Sequence, residues 1–222
     1  MSRKAYMATE YALHCAVGGP LAGHPWRRYA MLGDSVVQEP GGFAELVRDE
    51  LAAARSGSVG AEPGLAFLNL GRRNLRAAEV RATQLAPALA FAPDLALVIC
   101  GANDAMRPGY EARADAVDAE LAGIIRPLQE AGARVITVSV FVMREYPRLP
   151  AWLGPGFARR MALLARRTNA LAAALGTVHV DLSDHPAIGA GEALTGEDGL
   201  HGNAHSHRIA AAAVIQRLSA EL

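Results

Sequence analysis

The run Leu95-Ala96-Leu97-Val98-Ile99-Cys100 is followed at once by Gly101-Ala102-Asn103-Asp104. An unbroken apolar run of this length, ended by a polar, glycine-led turn, reads as a short strand buried on both faces. On either side of it, Asn74–Ala90 and Ala112–Ala131 carry helical periodicity. Further out the same alternation repeats. Tyr29–Leu32, Leu65–Asn69, Arg134–Val140 and Thr177–Asp181 read as strands, Phe43–Ala54 and Ala158–Leu175 as helices, and Ala204–Leu222 as a final helix. Short buried strands alternating with helices imply βαβ units, hence a parallel sheet covered on both faces. Right-handed crossovers narrow the topology to a doubly wound α/β sheet of about five strands.

The 222 residues fit one domain, and no repeat, low-complexity tract or linker divides them. The segment through Arg28 is an N-terminal extension whose turn signals, Gly18-Gly19-Pro20 and Gly23-His24-Pro25, leave its structure open. Basic and acidic residues number 22 each, so no net field points to nucleic acid or an anionic membrane as partner. Cys15 and Cys100 give neither a disulfide framework nor metal-ligand spacing, and Cys100, at the end of its apolar run, reads as a buried inert thiol. Glu10 and His14 interrupt what would have to be an apolar signal core, and no long apolar stretch occurs, so the expected setting is cytoplasmic without a membrane span. Oligomeric state is not legible.

In doubly wound sheets ligands bind at the carboxyl ends of the strands. Gly33-Asp34-Ser35, Asn69-Leu70-Gly71 and Gly101-Ala102-Asn103-Asp104 follow the first three strands, and Asp198-Gly199-Leu200-His201 precedes the last helix. All four project onto one rim. Acyl transfer needs a nucleophile, a base, a group that orients the base, and donors for the developing oxyanion. Ser35, on a tight strand-to-helix turn, supplies the hydroxyl. His201 supplies an imidazole that titrates near neutrality, and Asp198 can hold its other ring nitrogen. The Ser35 and Gly71 backbone N–H groups and the Asn103 amide make three candidate oxyanion donors, each typically worth roughly 3 kcal/mol of barrier.

This pattern resembles the SGNH/GDSL hydrolase family, named for its Ser, Gly, Asn and His, from about Tyr29 to Leu218. Asn203 and His207 also stand at the places the family's run after the catalytic His leads one to expect. The resemblance implies a flavodoxin-like, three-layer αβα fold, a Ser-His-Asp triad, and hydrolysis of small-molecule esters or thioesters without a metal or other cofactor. Val37, Gln38 and Glu39 after the serine, Arg72 and Arg73 after Gly71, Gly202 and Ser206 depart from the family's usual residues at positions bordering the pocket.

Each block also has a plainer reading: Gly-Asp-Ser as turn chemistry, Gly71 as a strand-end glycine, Asp104 or Asp198 as a helix cap. Acyl transfer to an alcohol or amine, or a scaffold that kept the fold and lost catalysis, would use the same segments. His201, His205 and His207 have one pair at helical spacing, but no carboxylate or cysteine cluster completes a metal site. Phe141–Phe157 is a long connection at the active rim, either a loop packed over the sheet or a lid and acyl-pocket wall carrying Tyr146 and Trp152. Arg72 and Arg73 are candidates for an anionic substrate group, against the plainer reading as solvated surface arginines.

Overall fold

A computed structural model describes residues 19–56, 64–143, 146, 148–150 and 152–222. Cys15 and the first part of the N-terminal extension lie outside the described residues. Five strands form one all-parallel sheet: β1 (Arg28–Gly33), β2 (Ala66–Asn69), β3 (Leu95–Ile99), β4 (Arg134–Ser139) and β5 (Val178–Asp181), in the order β2-β1-β3-β4-β5. The expected strands all appear, with ends moved by a residue or so.

The reason these runs are strands shows in how they divide their side chains. Tyr29, Met31, Leu95, Leu97, Ile136, Val138, Val178 and Val180 point to one face. They pack there on α2 (Phe43–Ser56) and α8 (Ala204–Ser219). Ala30, Leu32, Ala96, Val98 and Val135 point to the other, under α3 (Ala77–Phe91), α5 (Tyr110–Glu130) and α6 (Gly154–Leu175). Strict period-two alternation with both sets apolar is what a sheet covered on both sides demands. β2, at the edge, is only half-buried, and its Phe67 ring is covered by the Arg48 guanidinium 4.8 Å above it.

Helix α6 starts at Gly154, four residues before the periodicity predicts, because Pro155 sits in its first turn and needs no N–H partner there. The last residues of the Phe141–Phe157 connection are therefore helical. Two single-turn helices, α1 (Ser35–Gln38) and α4 (Ala102–Ala105), follow β1 and β3 directly, and α7 (Pro186–Gly189) precedes the His201 loop. In the described part of the extension, Leu21 is buried and the His24 ring nitrogen Nε2 lies 2.9 Å from the Leu51 carbonyl, which ties the entry to β1 onto α2. None of the described helices is long and apolar enough to cross a membrane.

Candidate active site

The strand order reverses direction between β1 and β3, and the crevice at such a switch point is where this architecture takes ligands. Ser35 leaves β1 there and Asn103 leaves β3. Gly33 lets the two strands close up: a Cβ on it would lie 2.1 Å from the Ile99 carbonyl oxygen. The Gln84 side chain, buried on α3, fixes that glycine from the other side. Its Oε1 accepts from the Gly33 N–H at 2.8 Å and its Nε2 donates to the Gly33 carbonyl at 2.9 Å. Asp34 caps α1 by accepting the Val36 N–H at 3.2 Å. Ser35 is then the first helical residue, and its own N–H has no partner among the described residues.

His201 reaches Ser35 from 166 residues away, with Nε2 3.1 Å from Oγ. Its Nδ1 is 2.5 Å from Asp198 Oδ2. A carboxylate only accepts, so Nδ1 carries the proton and Nε2 is left as the acceptor for the serine hydroxyl. Asp198 is itself braced by the N–H groups of Leu200 and His201, both at 2.9 Å. The hydrogen bond with His201, followed by that of Leu200, holds its carboxyl down at about 2. The loop is shaped by Gly199 at φ 70, by the Gly196 N–H donating to the His201 carbonyl at 2.8 Å, and by Asn203. The Asn203 Oδ1 caps α8 through the N–H groups of His205 and Ser206, while its Nδ2 donates to the Ala193 carbonyl at 2.8 Å. His201 therefore stands just before the helix, and the cap is Asn203 rather than Asp198.

Asn103 Nδ2 donates to the Leu75 carbonyl at 2.9 Å and, more weakly, to Asp34 Oδ2 at 3.3 Å, which leaves it beside the Ser35 turn. Gly71 is placed differently from the sequence expectation. Its N–H donates to Asn69 Oδ1 at 2.8 Å, and a Cβ on it would meet the Gln38 nitrogen at 2.6 Å and the Val37 carbonyl carbon at 2.8 Å. It is a glycine because α1 presses on it, not to open a path to substrate. Arg72 and Arg73 stand outside the cavity wall. Their backbone N–H groups tie the loop to the Gly33 carbonyl at 3.2 Å and to Gln38 Oε1 at 2.6 Å, while both residues are exposed.

Asp34 is 1% exposed, and burial pushes its carboxyl up to about 6 against the pull of the Val36 N–H and of His201. An acid raised in the folded state binds more protons folded than unfolded between its unfolded value, near 4, and about 6. Stability from this group therefore falls as pH rises through that window. Asp34→Asn, which keeps an acceptor for Val36, removes the dependence. Measured by urea unfolding, the stability of the variant relative to the parent should rise by on the order of 3 kcal/mol between pH 3.5 and 7. Any constant cost of the swap cancels in that comparison, and a flat difference across the window would refute the assignment.

Ser35, Asn103 and His201 open into a cavity of about 120 Å³ at the carboxyl ends of β1, β3, β4 and β5. Its wall is mostly apolar and takes in Ile99, Val138, Leu182, Met161 and Ala210. Of the connection residues, Tyr146 belongs to the wall: it is 8% exposed, and its ring packs edge-on against Phe157 at 4.5 Å. Trp152 does not; it is 79% exposed and away from the cavity. The three histidines at the metal-like spacing go to three different partners, His201 to Ser35 and Asp198, His205 to Glu192 at 2.6 Å, and His207, through Nδ1, to the Phe43 N–H at 3.3 Å. Cys100 is buried, which pushes its thiol well above the ordinary value. Gln84, Met161 and Ala210 escape the sequence reading. A lone amide in the apolar stripe of Asn74–Ala90 was the available signal for the first; the other two look like ordinary core positions.

Residues 31–209 match the GDSL-like lipase/acylhydrolase family. No curated protein sequence matches the chain. Solved structures with the same fold include TesA, at 21% identity and TM-score 0.65 over 88% of this chain and 99% of that one. The acetylxylan esterase Axe2 from Geobacillus stearothermophilus is 17% identical, with TM-score 0.68 over 89% and 94%. The psychrotrophic esterase EstA from Pseudoalteromonas sp. is 16% identical, with TM-score 0.62 over 88% and 98%.

Proposed function

Because the chain belongs to the GDSL-like lipase/acylhydrolase family, we propose that it hydrolyses carboxylic esters or thioesters through an acyl-enzyme on Ser35. His201 Nε2 takes the Ser35 proton as Oγ bonds to the carbonyl carbon, and the carbonyl π electrons move onto oxygen. The resulting oxyanion faces the unpartnered Ser35 N–H, and Asn103 Nδ2 joins it by giving up its longer, 3.3 Å bond to Asp34 while keeping the one to Leu75. Collapse breaks the bond to the leaving group, which departs with the proton from His201. Water then gives a proton to the same nitrogen as its oxygen bonds to the acyl carbon, and the Oγ–C bond breaks as His201 returns that proton to Ser35, releasing the acid. Asp198 holds the ring in the required tautomer and offsets the imidazolium charge. Gly71, its N–H bonded to Asn69, has no part in this scheme.

The observation that carries the reading is the 3.1 Å approach of His201 Nε2 to Ser35 Oγ at the mouth of an apolar cavity, with a carboxylate on Nδ1. Catalytic mutants of the Geobacillus esterase carry a serine-to-alanine and an aspartate-to-alanine change, which supports giving those residue types these roles. An alkyl fluorophosphonate should label the protein once, with the adduct mapping to Ser35 by peptide mass spectrometry. No adduct, or an adduct elsewhere, ends the proposal.

Asn103→Ala tests the oxyanion role separately. Loss of one such donor typically lowers kcat by about 10²–10³. The same loss with KM little changed is expected here, and a change confined to KM would show that Asn103 binds substrate rather than the transition state.

A further inference from the structure

The cavity behind Ser35 names its own substrate class. Its apolar floor is built by Ile99, Val138 and Leu182 at the strand ends, with Met161 of α6 on one side and Ala210 of α8 on the other, all buried. Two of the polar side chains on the wall are already bonded within the protein. Ser206 donates to the Asn203 carbonyl at 2.9 Å, and His207 Nδ1 accepts from Phe43. Glu39 and Thr195 stand on the same wall, but apolar side chains make up most of it, so it offers more to methylenes than to the hydroxyls of a sugar.

We infer that the acyl group this enzyme accepts is an unbranched apolar chain of about four to eight carbons, and that Ala210 and Met161 set its length. The inference rests on the Ser35 acyl-enzyme reading and deepens it. The size follows from comparison. An apolar cavity of roughly 150 Å³ in another protein takes up benzene, a six-carbon guest, and this one measures about 120 Å³. An acetyl group would leave most of that wall uncovered. Each added methylene is worth about 0.8 kcal/mol of burial, or roughly fourfold in kcat/KM. Between acetate and hexanoate the gain is on the order of two hundredfold. Once that volume is filled, a longer chain must displace packed side chains, and the rate drops.

The test is kcat/KM over p-nitrophenyl esters from acetate to laurate, below their micelle concentrations, for the parent, Ala210→Leu and Met161→Ala. The parent should climb to a maximum near hexanoate. Narrowing the cavity from the side with Ala210→Leu should move the maximum toward shorter chains, and Met161→Ala should move it toward longer ones. General loss of stability cannot move an optimum in opposite directions. The parent series alone suffices if a variant does not fold. Rates highest on acetate and falling with length, or a parent optimum beyond decanoate, overturn the inference while fluorophosphonate labelling of Ser35 leaves the hydrolase reading standing. Absence of both turnover and labelling brings down the two together.

Discussion

Ser35→Ala is expected to lower turnover of an activated ester by on the order of 10⁴–10⁶. The size follows from how the three side chains are connected. Ser35 Oγ, His201 and Asp198 form one unbroken hydrogen-bonded line, 3.1 Å at the first link and 2.5 Å at the second. Removing the hydroxyl removes the only group among the described residues that is placed beside His201 to bond to a carbonyl carbon. The histidine can then act only on water that no longer has a covalent intermediate to cleave. Groups that act as a unit are not additive. His201→Ala should thus cost about as much as Ser35→Ala, and the double variant little more than either. The residual rate in all three should depend on the proposed oxyanion donors that remain, the backbone N–H at position 35 and the Asn103 amide. Steady-state rates on one ester for the three variants decide the matter. A double variant whose loss approaches the product of the two single losses would mean that the two residues contribute independently.

The parts of this arrangement that could be read in the sequence are those in which a residue's chemistry and its place on the chain coincide. Buried parallel strands are continuous apolar runs, so Leu95–Ile99 and Arg134–Ser139 declare themselves, and whatever follows such a run must lie on the rim. Gly33-Asp34-Ser35 and Asn103 were placed by that rule alone. Gly71 lies on that rim too, with its N–H donating to Asn69 Oδ1. A glycine that admits a ligand and a glycine that admits the backbone of α1 look identical in sequence, and only the 2.6 Å clash with Gln38 separates them. Tyr146 and Trp152 differ for a related reason. Their connection has no periodicity, so nothing in the sequence says which aromatic turns inward. The cavity's side walls are hidden in the sequence because Met161 and Ala210 satisfy the helical pattern of a core residue whether or not the space they face is filled. The turn around Asn74, which takes a φ of 65 without being glycine, gave no sequence signal either.

Gly33→Ala is expected to cost on the order of 3–5 kcal/mol of stability and at least a hundredfold in turnover, although a single methyl group is added. Backbone conformation is not the cause, since Gly33 is not among the glycines with positive φ. Space is. The new Cβ would sit 2.1 Å from the Ile99 carbonyl oxygen and 2.7 Å from a Val37 methyl. The first neighbour is backbone and cannot rotate away, so β1 and β3 must part where Gly33 pairs with Ile99. Parting them strains or breaks both Gln84 bonds, at 2.8 and 2.9 Å, inside a buried site where an unpaired amide is costly. It also moves Ser35, on the β1 side, away from Asn103, on the β3 side, and a displacement of about 1 Å between reacting groups can cost a hundredfold. Gly189→Ala is the matched control. A Cβ there meets nothing within 4 Å, so its effect should stay within about 0.5 kcal/mol. Urea unfolding of both variants, with turnover measured where each is folded, separates the cases. A Gly33→Ala midpoint indistinguishable from the parent's would mean that the β1–β3 junction yields freely, and the tight closure that sets Ser35 against Asn103 would lose its physical basis.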